Sequence, residues 1–66
     1  MSQRVVEIHS SACVATARRT ATRLASEVGF ADTRREQVAL VVTEVGQNVL
    51  RHGGGGALIL ATQDHG

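Results

Sequence analysis

The 66-residue chain contains no tryptophan, tyrosine, proline or lysine, one phenylalanine (Phe30), one cysteine (Cys13) and one methionine. Each scarcity excludes something. A lone cysteine forbids an internal disulfide, and no Cys/His set has the spacing of a structural zinc site. Cys13 reads as a small buried apolar residue. With Phe30 the only aromatic, the stacking platforms on which single-stranded nucleic acids lie are missing. Seven arginines against six acidic residues leave a formal charge of +1, short of the basic excess that nucleic-acid binding brings. Arg18, Arg19 and Arg23, with Arg34 and Arg35, read as solvated helix faces. The longest apolar runs, Val38 to Val42 and Ala57 to Ala61, fall far short of the roughly 18–20 residues that span a bilayer. Glu7 interrupts the first apolar stretch and no cleavage site follows a long apolar core, which argues against a signal peptide. A cytoplasmic location without membrane or nucleic-acid partners is the expectation.

What remains is strongly patterned. Asp32 to Gly56, DTRREQVALVVTEVGQNVLRHGGGG, reads as one long amphipathic helix ending in a glycine run. Val38, Val41, Val42, Val45 and Val49 are spaced for burial, while Glu44, Asn48 and His52 recur every four residues on a polar face. Thr33 and Glu36 fit a capping box, with Asp32 as an alternative N-cap. Arg51 and His52 complement the negative end of the helix dipole, and Gly53 is placed to end the helix in a left-handed residue. Gly46, inside the helix, costs about 1 kcal/mol relative to alanine. It marks a close approach to the backbone.

Before this helix, Arg4 to His9 is rich in β-branched residues, with Val6 and Ile8 alternating with polar neighbours, and reads as a strand. Ser10 and Ser11 cap a helix over Ala12 to Val28, with Cys13, Ala17, Ala21, Leu24 and Val28 inward. Gly29 closes it, with Phe30 placed for the apolar contact of such a cap. The tight connection Gly29 to Asp32 predicts that the two helices are near neighbours and antiparallel, as short loops impose. Ala57 to Gln63 reads as a buried strand with Leu58 and Leu60 on one face and Ile59 and Ala61 on the other. Asp64 to Gly66 then resembles the start of a turn. The order strand, helix, helix, strand predicts one α/β domain, an α+β two-layer sandwich over residues 1–66. Two strands alone rarely make a stable sheet, so the layer reads as incomplete.

The run LVVTEVGQNVLRHGGGGALIL, Leu40 to Leu60, resembles the N-box region of the GHKL (Bergerat-fold) ATP-binding superfamily, which includes sensor histidine kinases, DNA gyrase and MutL. Within it the chain is most similar to anti-sigma regulatory serine/threonine kinases of the RsbT type. Their pattern of Glu-x-x-x-Asn, three residues, His, a Gly-rich turn and an apolar strand is present. The resemblance implies ATP and Mg2+ as cofactors. Glu44 would be the general base, Asn48 the magnesium ligand, and Arg51 and His52 would approach the phosphates or the edge of the nucleotide. It also implies a STAS-domain antagonist or another sigma-factor regulator as partner, and a homodimer as a further option. The family's adenine-binding Asp-x-Gly-x-Gly motif and Gly-rich lid are not in this sequence, so the chain corresponds to the N-terminal half of the domain and is expected to be inactive by itself. The run Gly53 to Gly56 is not a P-loop, because the Lys-Ser/Thr end of that pattern is missing. The competing expectation is a non-catalytic helical interaction or dimerisation module, which the valine stripe serves equally well.

Overall fold

A computed structural model describes residues 2–63. The fold is α+β, built as β1 (Gln3–Ile8), α1 (Ser11–Glu27), α2 (Asp32–Gly53) and β2 (Gly56–Ala61). The order predicted from periodicity is the order observed. β1 and β2 pair antiparallel, from Gln3 opposite Ala61 to Ile8 opposite Gly56. Beyond the ladder, the amide of Thr62 donates to the carbonyl of Ser2 at 2.8 Å, and the amide of Ser2 donates to Thr62 Oγ1 at 2.9 Å. The turn expected over Asp64 to Gly66 lies outside the described residues.

Alternation decides which side of the sheet meets the helices. Ile8 is fully buried, and Val6, Leu58 and Leu60 pack against the core cluster. Val5 and Ile59, directly paired across the strands, point away from the helices and are 61% and 66% exposed. β2 is therefore apolar on both faces but covered on one, which corrects the expectation of a buried strand.

The helix faces are also rotated from expectation. On α1 the buried residues are Val14, Ala17, Ala21, Leu24 and Ala25, whereas Cys13 is half-buried and Val28 exposed. On α2 only Val42 and Gly46 are buried; Val38 and Val49 contribute partly. Val41 and Val45, expected inside, are 58% and 45% exposed. The cause is the way the helices meet. A Cβ at Gly46 would lie 3.0 and 3.1 Å from the two methyl carbons of Val14, so α1 approaches α2 through its glycine. That approach turns Val42 and Gly46 inward and leaves Val41 and Val45 on the flank away from α1.

The helix ends differ from expectation in detail. The N-cap of α2 is Ala31, without a side-chain cap bond. Because the helix begins at Asp32, Thr33 lies inside the first turn and cannot cap, so the predicted capping box does not form. Asp32 instead pairs with Arg35 one turn on, at the end of the helix that favours negative charge. The left-handed residue at the far end is Gly54, with φ 69°, one position later than predicted, and the amide of Gly55 donates back to the carbonyl of Val49 at 3.3 Å. At the end of α1, Gly29 has φ 87° and the amide of Phe30 donates to the carbonyl of Ala25 at 3.0 Å. This is the glycine-closed end that the sequence predicts. Phe30 lies with its ring 5.3 Å from the Arg34 guanidinium carbon, a cation–π contact that holds the start of α2 against the loop.

Gly46→Ala sets helix propensity against packing. The alanine would gain about 1 kcal/mol of intrinsic helix preference, but the added methyl meets a buried Val14, and overpacking costs about 1–3 kcal/mol. Urea denaturation is expected to show net destabilisation by Gly46→Ala, relieved when Val14→Ala opens the space. A more stable Gly46→Ala variant would contradict the observed helix contact.

Candidate functional site

The polar residues singled out by spacing come from the last three turns of α2. Glu44, Gln47, Asn48 and Arg51, together with Val45, line one shallow cavity of about 550 Å³ on the solvent side of the helix. Steps of three and four residues stack these side chains over successive turns. The structure thus brings an acid, two amides and a guanidinium onto one open surface. All four polar residues are exposed. No ion pair of Glu44 or Arg51 occurs among the described residues, where the pairs are Arg35 with Asp32 and His9 with Glu7.

His52 is placed differently. It is exposed in the last turn of α2 beside Arg51, and it does not line the cavity. Gln47 does, although the sequence reading did not single it out. The available signal was its position, three residues after Glu44 and four before Arg51, which puts it on their row.

The arrangement suits an anionic ligand held from one side. Arg51 presents a planar fork of donors that matches a phosphate or carboxylate edge, and the amides of Gln47 and Asn48 offer both donors and neutral oxygens. Glu44, on the same row, can accept a proton or orient a hydroxyl. Among the described residues, no three His, Cys, Asp or Glu side chains come together as a metal cage. That donor set fits magnesium in one manner only: a metal carried mainly by phosphates and water, touched by a single protein oxygen such as that of Asn48.

A second cavity, of about 570 Å³, opens where the helices outrun the strands, and it is lined largely by apolar residues including Leu24, Val28, Phe30, Val42 and Leu60. The half-buried thiol of Cys13 stands at the start of α1. Its pKa is lowered, first by a backbone hydrogen bond from His9 and then by contacts with Ser10, whose hydroxyl oxygen is 3.6 Å from the sulfur. No helix among the described residues is long and apolar enough to cross a membrane.

Set beside known proteins, the chain matches no family model, no curated protein and no solved structure.

Proposed function

We propose that the chain is the N-box half of a nucleotide-binding domain of the GHKL type, the intact form of which is a cytoplasmic serine/threonine kinase acting on a STAS-domain regulator. The observation that carries this reading is the convergence of Glu44, Asn48 and Arg51 on one cavity, with no ion pair engaging the acid or the guanidinium among the described residues. The same row would also appear on any amphipathic helix with a wet face. What favours a site is its composition: a base, a neutral metal ligand and a phosphate binder, in the order the Leu40 to Leu60 resemblance requires.

In this reading the Asn48 carbonyl oxygen would hold Mg2+, which when bound would supply charge neutralisation to the phosphates. Arg51 binds an outer phosphate edge, and Glu44 orients the attacking hydroxyl and accepts its proton as the phosphoryl group moves. His52 lies one turn beyond Asn48, outside the cavity, and enters the reading through the resemblance alone. An open cavity supplied by one helix gives weak binding, because water screens each contact and no adenine wall is present in the sequence.

The exposure of Leu40, Val41 and Val45 favours a second reading, a non-catalytic interaction module in which the apolar flank of α2 meets a partner and nucleotide is irrelevant. The two are separated on the chain itself. Titrated with Mg-ATP into the millimolar range and followed by amide NMR, the nucleotide reading expects weak, saturable shifts clustered at residues 44–52 and lost in Asn48→Ala. Shifts spread over the arginines of α1 would sink it, and micromolar affinity would sink the half-domain part of it.

Exposure also fixes what the substitutions should do to folding. Glu44→Ala and Asn48→Ala remove no buried contact, so each is expected to change unfolding free energy by less than about 0.5 kcal/mol. In the kinase that contains this half-domain, both should abolish phosphoryl transfer to the STAS-domain protein. Full transfer by Glu44→Ala would remove the general-base assignment.

A further inference from the structure

We draw no further inference here: the strongest candidate, the largely apolar cavity of about 570 Å³ between α1, α2 and the C-terminal end of β2, opens beside Thr62 and Gln63 at the limit of the described residues, and nothing in the structure shows what covers it.

Discussion

The contact of Gly46 with Val14 sets the rest of the geometry. A larger residue at position 46 would meet the Val14 methyl groups, and Ala17 and Ala21 join Val14 and Val42 in the core cluster as small residues. Close approach of helices through small residues maximises dispersion contacts but buries little area per residue. Of the seven buried apolar side chains among the described residues, three are alanine and only Ile8 and Leu24 are larger than valine. The fold thus rests on tight packing of a thin core. Such a core holds helix against helix firmly and holds the sheet less so.

The same contact explains what was legible in the sequence. The period of 3.6 gives the existence of both helices, and the alternation of Val6 with Ile8 and of Leu58 with Leu60 gives the inner faces of both strands. Periodicity locates an apolar arc but not its neighbours. Val41 and Val45 fit that arc as well as Val38 and Val49 do, and only the direction from which α1 arrives decides which of them is covered. Gly46 signalled a close approach, although Val14 could not be named as the partner. Helix ends were legible to within two residues, and the difference mattered: a start at Asp32, with Ala31 as N-cap, removes Thr33 from the capping position, and Gly54 in place of Gly53 takes the left-handed conformation.

The candidate site was more legible than the core because it lies on a single helix. Glu44, Asn48 and Arg51 need no tertiary information to be placed on one surface; the spacing is sufficient. His52 shares the four-residue step, but a helix turns 400° in four residues, so the row drifts about 40° per step. That drift alone does not remove His52 from the cavity, because Val45, about 20° farther round, still lines it. Gln47, which a step-of-four reading skips, lies on the face that Glu44 and Arg51 share. A spacing rule that alternates three and four follows a helix surface better than one that repeats four.

Val45 belongs to both surfaces. It lines the cavity with Glu44 and Asn48, and it lies on the exposed flank of α2 away from α1. Anything that covers that flank would raise a wall beside the cavity and exclude water from one side of it. Charge–charge and charge–dipole interactions strengthen several-fold as the effective dielectric falls from that of water to that of a protein surface. The arginine and amides of α2 would then hold an anion far better than they can alone. The exposed flank and the weakness of the open site are therefore linked: whatever covers Val41 and Val45 also determines how strongly Glu44, Asn48 and Arg51 can act.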